Sequence, residues 1–509
     1  MVEISSFNQM DIDDIAEFAC NKQSEYNLSK DDAYKSSIES NHKYFMDLIS
    51  EDCPIYGVTT GFGGSSTNRF DTQKSMDLQK NLIEFHGCGV GPILSEEECA
   101  ASLLVRLVSL AQGSSGISFE LLESFDCFIK NRIIPCIPAQ GSVGASGDLT
   151  PLSYIAAALS GRRDVYYEGK VCKASDVLEK LKIKPYIFKE KEALSVMNGT
   201  SVMTAIASLT IIRAKQLAKI VAFNTALMVE LFESSHSPFA EELHLRKPHP
   251  GQIEAASMIR GLLKKDKVDL PAKVGAIQDK YSIRCTPQVL GVLIDSIEWA
   301  GKVVNIEINS TNDNPVVLDK EGMVLNGGHF FGGHIAHVMD NLKTAMGTVT
   351  NLIDRQMAYL MECTQVSWLT ENLTAPSLGD NQLINHGYKA MQITVSALTT
   401  EVIKNSFSAA VLSRSTEKNN QDVVSMGTIA ARDFRDQLVM SEQCAAINTM
   451  GLLQAYYVSK ESNIEFDFSP ELKELLDSLS GVYKPVIEDR PMDQDIKDMV
   501  NFLFVEKGI

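Results

Sequence analysis

Residues 140–154 (QGSVGASGDLTPLSY) place several glycines beside hydroxyl and carboxyl side chains, so this segment is the first candidate for chemistry. A phosphate-binding loop is one possibility. The segment lacks the Gly-Lys-Ser/Thr ending, however, and no lysine follows that could meet a β-phosphate. The glycines at 87, 89 and 91 are also too few for a dinucleotide fingerprint. We therefore predict no nucleotide site.

The run Ala145-Ser146-Gly147 has a second possible chemistry, which is covalent. In a tight turn the amide nitrogen of Gly147 can attack the carbonyl of Ala145, because glycine has no Cβ to block the approach. Loss of two waters, one of which takes the Ser146 hydroxyl, gives 4-methylideneimidazol-5-one, a strong electrophile. On their own the three residues favour an ordinary glycine turn, since glycine clusters usually mark turns. The flanking sequence decides between the two interpretations.

The flanking sequence GSVGASGDLTPLSYIA (141–156) resembles the signature of the aromatic amino acid ammonia-lyase family, which includes histidine, phenylalanine and tyrosine ammonia-lyases and related aminomutases. Eight further blocks follow the family's order: YGVTTGFGG (56–64), QKNLIEFHGCGVG (79–91), EALSVMNGTSVMTA (192–205), KPHPGQ (247–252), QDKYSIRCTPQ (278–288), NSTNDNP (309–315), NGGHFFGGH (326–334) and NNQDVVSMG (419–427). The resemblance implies an ammonia-lyase whose only cofactor is the methylideneimidazolone from Ala145, Ser146 and Gly147, with no metal or nucleotide.

The catalytic residues follow from the resemblance and from what the elimination requires. The substrate's β-proton is hardly acidic and its amine is a poor leaving group, so the reaction needs an electrophile and a base. Tyr56 matches the base, and it needs nearby donors or positive charge because a free tyrosine has a pKa near ~10. Tyr281 matches a second tyrosine that supports electrophile formation and proton transfer. Asp148 and Asn198 match groups that assist electrophile formation and polarise its oxygen.

The resemblance also implies a set of substrate-binding residues. Arg284 would clamp the substrate carboxylate with its two-pronged guanidinium. Gly63 belongs to a glycine-rich segment that resembles a flexible lid carrying Tyr56 over the substrate. Further matching pocket positions are Phe85, His86, Gln278, Asn314, Phe330, Lys389 and Gln421.

The preferred ring is indicated by four of these positions. Phe85 resembles phenylalanine-selective members, whereas His86 stands where histidine ammonia-lyases, and some tyrosine-selective members, have a histidine. Gln421 replaces the glutamate of histidine ammonia-lyases, and Lys389 replaces their methionine. A cation near the ring disfavours an imidazolium. We expect tyrosine or phenylalanine as substrate, with histidine ammonia-lyase, an aromatic aminomutase and a non-catalytic oligomer of the same fold as alternatives.

His329, His334 and His337 are candidate metal ligands. Three histidines can bind zinc. The HxxH pattern lacks the four-residue spacing and internal glutamate of a metalloprotease, so we expect pocket-wall and packing roles and no metal.

Some of the helices and hairpins that position these residues can be predicted from the sequence. Ser95 followed by Glu98 predicts a capping box at the start of a helix that ends near Gly113. Residues 164–173 and 316–325 are typical of hairpins with glycine at the turn. One continuous apolar stripe predicts a helix over 333–361, roughly 43 Å long at ~1.5 Å per residue, and helices of that length usually bundle.

The composition excludes several classes of protein. With 47 Lys and Arg against 65 Asp and Glu, the net charge of −18 argues against a nucleic-acid surface. The most apolar long segment, 209–232, contains three cations, which argues against a membrane span. The N-terminus lacks a signal-peptide pattern, and none of the ten cysteines has CxxC spacing, so we expect reduced thiols and a cytoplasmic location.

Together these features predict a mainly α fold, and the resemblance implies that this fold is of the ammonia-lyase/fumarase-like type. A loop-rich N-terminal domain (1–205) would carry the electrophile, and a long central helical bundle with C-terminal helices would fill 206–509. The resemblance implies a homotetramer that acts on a small amino acid, with each active site shared among three chains.

Overall fold

The structure is a computed structural model that describes residues 2–51, 53–69, 74–264, 278–364 and 366–506. The chain divides into two compact units. The first comprises Met1–Ile212, Ala300–Asp340 and Ser408–Arg432, and the second comprises Arg213–Trp299, Asn341–Phe407 and Asp433–Ile509. The domain boundary at 205/206 stays a prediction, from which these units differ: 300–340 and 408–432 cluster with the N-terminal segment.

The secondary structure is mainly α, as the sequence predicts. The helices are α1 (Ile12–Cys20), α2 (Asp32–Ser50), α3 (Ser75–Phe85), α4 (Glu96–Leu110), α5 (Phe119–Lys130), α6 (Leu149–Leu159), α7 (Ala174–Leu181), α8 (Glu192–Met197), α9 (Ser201–Leu231), α10 (Glu241–His244), α11 (Pro250–Leu262), α12 (Tyr281–Arg284), α13 (Thr286–Ile308), α14 (Gly333–Met361), α15 (Lys389–Lys404), α16 (Gly427–Glu461), α17 (Pro470–Leu479) and α18 (Asp493–Asn501). The strands are β1 (Val2–Ile4), β2 (Tyr26–Leu28), β3 (Val90–Ile93), β4 (Ile134–Pro135), β5 (Pro138–Gln140), β6 (Asp164–Tyr167), β7 (Lys170–Lys173), β8 (Val316–Leu318) and β9 (Met323–Leu325).

Helix α4 lies in the core of the first unit. The Ser95 side chain accepts from the Glu98 amide while the Glu98 side chain accepts from the Ser95 amide, so the predicted capping box is confirmed. Three glutamates in the first turn stabilise the helix because their negative charges lie at the positive end of its dipole. Every residue from Glu98 to Leu110 is buried, so α4 presents all its faces to protein.

The strands form short sheets within the first unit. Strands β1 and β2 pair in parallel, β3 pairs with β5, and β4, β6 and β7 form a three-stranded sheet. The predicted hairpins are β6–β7, with Asp164 opposite Lys173, and β8–β9, with Val316 opposite Leu325, and both are confirmed. At the β6–β7 turn Glu168 and Gly169 have φ of 52° and 74°, as a two-residue type I′ turn requires.

Four long helices, α9, α13, α14 and α16, have bounds that include residues of both units. Helix α14 occupies 333–361 as predicted, and its apolar stripe is buried. The second unit also contains α10, α11, α12, α15, α17 and α18. Within the described ranges, no helix combines the length and apolar character that crossing a membrane requires.

Candidate active site

The turn before α6 holds Ala145, Ser146 and Gly147 in a compressed conformation. The backbone of Ala145 bridges to Gly147 two residues on, and Gly147 bridges in turn to Gly199. Gly147 has a φ of +69°, and a Cβ at this position would lie 2.0 Å from the carbonyl oxygen of Gly199. A side chain at position 147 would therefore clash with the backbone of residue 199 and strain its own backbone, so this turn requires glycine.

The start of α9 and the residues before it hold this turn from behind. The Asn198 side-chain nitrogen donates to the Ser146 carbonyl oxygen at 3.1 Å, and the Asp148 amide donates to the Gly199 carbonyl oxygen at 2.7 Å. The Asn198 Oδ1 atom is buried and has no hydrogen-bond partner among the described residues. The Asn198 amide nitrogen thus contacts Ser146, and its amide oxygen is a buried acceptor that remains available. Both features fit a group made from residues 145–147.

Asp148 directly precedes α6 and is fully buried, and its side chain reaches the N-terminus of α9. Its Oδ2 accepts from the amides of Val202 and Met203 at 3.0 and 2.9 Å, and its Oδ1 accepts from the Thr428 hydroxyl. Burial raises the pKa of Asp148 to about 6, with the hydroxyl and amide donors opposing. Asp148 therefore anchors the turn to two segments that are distant in sequence.

Tyr56 lies on a loop that is linked to α8 through a side chain of α3. Gln79 of α3 donates to the Gly57 carbonyl oxygen at 3.2 Å and accepts from the Leu194 amide at 3.1 Å. The Tyr56 hydroxyl accepts from the Gly63 amide at 2.9 Å. Burial nevertheless raises the pKa of Tyr56, with the Gly63 amide opposing and the Glu417 carboxylate reinforcing the shift. The chain thus supplies a donor of the kind that the sequence analysis required, but burial outweighs it.

The glycine segment beside Tyr56 is held by Glu417. Residues Gly63–Ser65 form a short 3-10 turn, and the Gly64 amide donates to Glu417 Oε2 at 2.9 Å. Gly63 has a φ of +52°, and a Cβ there would lie 2.4 Å from the same oxygen. Sequence reasoning missed Glu417, although it precedes Gln421 by four residues. The run Glu417–Asn419 adopts positive φ throughout, a conformation with no simple sequence signal in non-glycine residues.

These residues surround one cavity of about 910 Å³ in the first unit. Glu417 belongs to its wall. Ten predicted site residues line it: Tyr56, Gly63, Phe85, His86, Ala145, Ser146, Asn198, Asn314, Phe330 and Gln421. Gly147 and Asp148 lie behind this wall and support it through the backbone contacts above.

His86 lines the cavity and has one ring nitrogen bonded to the backbone. Its Nδ1 lies 2.9 Å from the Leu82 carbonyl oxygen, and because a carbonyl only accepts, Nδ1 carries the proton. Burial lowers the pKa of His86, so the ring is neutral near pH 7 and Nε2 is left as an acceptor. The Phe85 and His86 ring centres lie 4.2 Å apart.

Gln421 contributes an amide near the turn. Its Nε2 lies 3.4 Å from Ser146 Oγ, and its Oε1 accepts from the Thr416 hydroxyl at 2.8 Å. Asn314 is held by the Gly327 amide, which donates to its Oδ1 at 2.7 Å. The two side chains that contact Ser146, Asn198 and Gln421, are therefore both neutral amides.

Four predicted site residues, Gln278, Tyr281, Arg284 and Lys389, belong to the second unit and are not among those lining this cavity in the single chain. Within that unit, the Arg284 guanidinium lies 4.3 Å from the centre of the Tyr281 ring, and its Nε donates to the Asp279 carbonyl oxygen at 3.1 Å. The Tyr281 side chain is 70% exposed. Their roles stay predictions.

No cluster of three or more His, Cys, Asp or Glu side chains converges as a metal site in the part of the chain described. All ten cysteines are free thiols.

Comparison with known proteins agrees with the fold and the motifs. The sequence model of the aromatic amino acid lyases matches residues 10–480. A histidine ammonia-lyase from Alkaliphilus oremlandii is 33% identical over 485 residues, 94% of this chain and 92% of that protein. A tyrosine ammonia-lyase from Cereibacter sphaeroides is 34% identical over 479 residues, 91% of this chain and 90% of that protein.

Among solved structures, tyrosine aminomutase from Streptomyces globisporus matches with a TM-score of 0.90 and 29% identity, covering 99% of this chain and 96% of that chain. The fold class and the resemblance in the sequence motifs are thereby confirmed. The chain belongs to the aromatic amino acid lyase family and is a carbon–nitrogen lyase.

Proposed function

We propose that this enzyme eliminates ammonia from L-histidine to give urocanate, with an electrophile made from Ala145, Ser146 and Gly147. The observation that carries the proposal is the compressed turn at these residues in the wall of the same cavity as Tyr56. The methylideneimidazolone, once formed, supplies the electron-withdrawing centre that activates the substrate for loss of ammonia. Asn198 and Asp148 hold its backbone.

Tyr56 acts as the base that removes the β-proton. The Gly63 amide donates to the Tyr56 oxygen and stabilises the ionised form, whereas burial and Glu417 oppose ionisation. A substrate ammonium group beside Glu417 would neutralise that carboxylate and favour the tyrosinate. Proton removal is thus coupled to occupancy of the cavity.

The choice of histidine rests on His86 and on the named relatives. The sequence analysis favours tyrosine or phenylalanine because of Gln421 and Lys389, but the curated relatives support histidine better, among them the enzyme of Alkaliphilus oremlandii. A neutral imidazole substrate has an N–H that can donate to His86 Nε2. A phenyl ring has no donor and would leave that acceptor unpaired, at a cost of about 1–3 kcal/mol.

Tyrosine is the second candidate. Its phenol O–H can also donate to His86 Nε2, and Gln421 is neutral, which suits an uncharged ring. The tyrosine ammonia-lyase of Cereibacter sphaeroides supports this alternative, because its sequence identity to this chain is similar to that of the histidine ammonia-lyase. An aminomutase would use the same residues and retain the arylacrylate for return of ammonia, as the similarity to a tyrosine aminomutase allows.

We also propose that the active site is completed by other copies of the chain in a homotetramer. Arg284 would then clamp the substrate carboxylate, and Tyr281, Gln278 and Lys389 would complete the pocket. The exposure of Tyr281 in the single chain supports this arrangement. A cytoplasmic location stays a prediction from the sequence.

The test is ammonia release and ultraviolet detection of the arylacrylate with L-histidine, L-tyrosine and L-phenylalanine offered separately. We expect urocanate from histidine, and a His86→Leu variant with KM raised roughly 10- to 100-fold from the loss of a buried acceptor. Phe85→Leu is the matched control, because it alters the neighbouring ring without removing a hydrogen bond. Product from tyrosine alone would favour the second candidate, and β-amino acid product would favour an aminomutase. Turnover of phenylalanine alone would contradict the role of His86.

A further inference from the structure

Arg106 of α4 is a fully buried cation directly behind the active-site wall, 0% exposed. Its Nη1 lies 3.0 Å from Asn312 Oδ1, 3.4 Å from the Asn198 carbonyl oxygen and 3.5 Å from Ser201 Oγ. Its Nε and Nη2 have no hydrogen-bond partner within the described ranges. A buried guanidinium with unpaired N–H groups is costly, so its presence requires a reason beyond packing.

The neighbouring buried cation, Lys191, provides a contrast. Its Nζ donates to Asp313 at 2.6 Å, to the Ser115 carbonyl oxygen at 2.8 Å and to Ser195 Oγ at 2.9 Å. Lys191 and Asp313 therefore form a satisfied ion pair. Burial lowers the pKa of Arg106 to about 10, with nearby carboxylates, Asp313 first, opposing. Arg106 thus stays protonated near neutral pH without a carboxylate bound to it.

The guanidinium occupies the space that a side chain at position 199 would take. A Cβ on Gly199 would lie 1.9 Å from Arg106 Nη1 and 2.6 Å from Asn312 Oδ1. The absence of a side chain at 199 lets the guanidinium contact the backbone there. Arg106 and Gly199 are therefore a matched pair.

The same backbone forms the support of the electrophile turn. The Gly199 carbonyl oxygen accepts from the Asp148 amide and excludes any side chain at Gly147, while the Asn198 side chain donates to the Ser146 carbonyl. Displacement of the 198–199 backbone would release all three contacts together. Arg106 is thus in contact with the backbone that compresses the turn, and not with the turn itself.

We infer that Arg106 is a positioning residue for formation of the electrophile, holding the Asn198–Gly199 backbone against residues 146–148. The inference rests on the proposed function, because it assumes that the turn cyclises. It assigns Arg106 to maturation of the enzyme and gives it no contact with the substrate.

The reaction that Arg106 supports is a double dehydration, which involves no net oxidation or reduction. The Gly147 nitrogen forms a bond to the Ala145 carbonyl carbon, and the carbonyl oxygen leaves as water with the protons of the Gly147 and Ser146 amides. The Ser146 hydroxyl then leaves as a second water with the Ser146 α-hydrogen. No oxidant is consumed. Ring closure depends on the distance between the Gly147 nitrogen and the Ala145 carbonyl carbon, which the supporting backbone controls.

The test compares Arg106→Met and Arg106→Lys with wild type by intact mass, sampled over time after a short pulse of synthesis of the full chain. A displacement of about 1 Å in a reacting geometry can cost about 100-fold in rate. We expect loss of two waters to slow about 100-fold in Arg106→Met and less in Arg106→Lys, which keeps the charge. Near-ultraviolet absorbance of the electrophile should rise in parallel with the mass change.

Ser109→Ala is the matched control on the same helix. It removes hydrogen bonds to Asn312 at 3.0 Å and to the Ser310 carbonyl oxygen at 2.8 Å, while Arg106 keeps its own contacts with Asn312 and the Asn198 carbonyl oxygen. It should lower the melting temperature and mature at the wild-type rate. The inference is overturned if Arg106→Met matures at the wild-type rate. It is also overturned if the maturation rate of every variant falls in proportion to the decrease in its melting temperature. If Arg106→Met does not fold, a wild-type rate in Arg106→Lys and in Gly199→Ala overturns it. Wild-type chains that keep their full sequence mass would instead overturn the proposed function.

Discussion

At the scale of the residue, the buried carboxyl group of Asp148 has an environment that opposes its charge. It is surrounded by donors, yet burial dominates and raises its pKa from 3.8 to about 6. The folded state therefore binds this proton more tightly than the unfolded state. The stability contributed by protonated Asp148 is present below pH 3.8 and is lost as the pH rises through about 6.

We predict that Asp148→Asn removes this pH dependence. The shift corresponds to roughly 3 kcal/mol, so wild type should lose about that much stability relative to the variant between pH 4 and pH 6, and no more above it. The measurement is the melting temperature of both proteins at half-unit steps from pH 4 to pH 8. Parallel curves across that range would contradict the raised pKa.

The sequence was informative for residues whose neighbours form a motif. Ala145, Ser146 and Asn198 were identified from their blocks, and they meet in the structure. Glu417 and Arg106 were not identified, because each acts on backbone far away in sequence: Gly64 for Glu417, and residues 198–199 for Arg106. Neither contact leaves a local pattern of spacing or charge that a single sequence displays.

At the scale of the element, the 3-10 turn at Gly63–Ser65 contains two adjacent glycines at which an added side chain would have different consequences. Gly63 has a positive φ and would place a Cβ 2.4 Å from Glu417 Oε2, whereas a Cβ on Gly64 would lie 3.3 Å from Glu417 Oε1. A side chain at 63 would therefore strain the backbone as well as displace Glu417. The Gly63 amide would then move away from the Tyr56 hydroxyl.

We predict that Gly63→Ala lowers kcat/KM about 10-fold or more, since left-handed backbone costs a non-glycine residue roughly 1–2 kcal/mol and each 1.4 kcal/mol is tenfold in rate. Gly64→Ala is the matched control and should stay within about 3-fold of wild type, because only a small adjustment of Glu417 is needed. Steady-state kinetics on the preferred amino acid provide the comparison. Equal effects of the two substitutions would argue against a specific role for the Gly63 conformation.

Elements with local signals were predicted well from the sequence. The capping box of α4, the bounds of α14 and both hairpins depend on residues within a few positions of each other, and all are confirmed. The membership of 300–340 and 408–432 in the first unit was not predicted. It depends on packing between segments separated by more than a hundred residues, for which hydrophobic periodicity carries no information.

At the scale of the whole molecule, the predicted site residues are divided between two units of one chain. The cavity with Tyr56 and Ser146 lies in the first unit, and Tyr281 and Arg284 belong to the second. A tetramer that shares its active sites would bring the two sets together from different chains. In such an arrangement, a chain with a substitution in one set can be complemented by a chain with a substitution in the other set.

We predict that Ser146→Ala and Arg284→Ala are each inactive alone and regain activity when co-expressed. Random mixing of two chains that each supply one intact residue restores about a quarter of the sites. The control is co-expression of Ser146→Ala with Asn198→Ala, which alter the same wall of one cavity and should give no recovery. Absence of recovery in the first pair would mean that each chain completes its own site.

We propose that Ala145, Ser146 and Gly147 become an electrophile without any added cofactor. The most direct measurement is the intact mass of the purified wild-type chain beside Ser146→Ala. We predict a wild-type chain lighter than its sequence mass by two waters, with near-ultraviolet absorbance, and a Ser146→Ala chain that lacks both the dehydration and the absorbance. A wild-type chain at its full sequence mass would contradict the account, however well the cavity and its residues match the family.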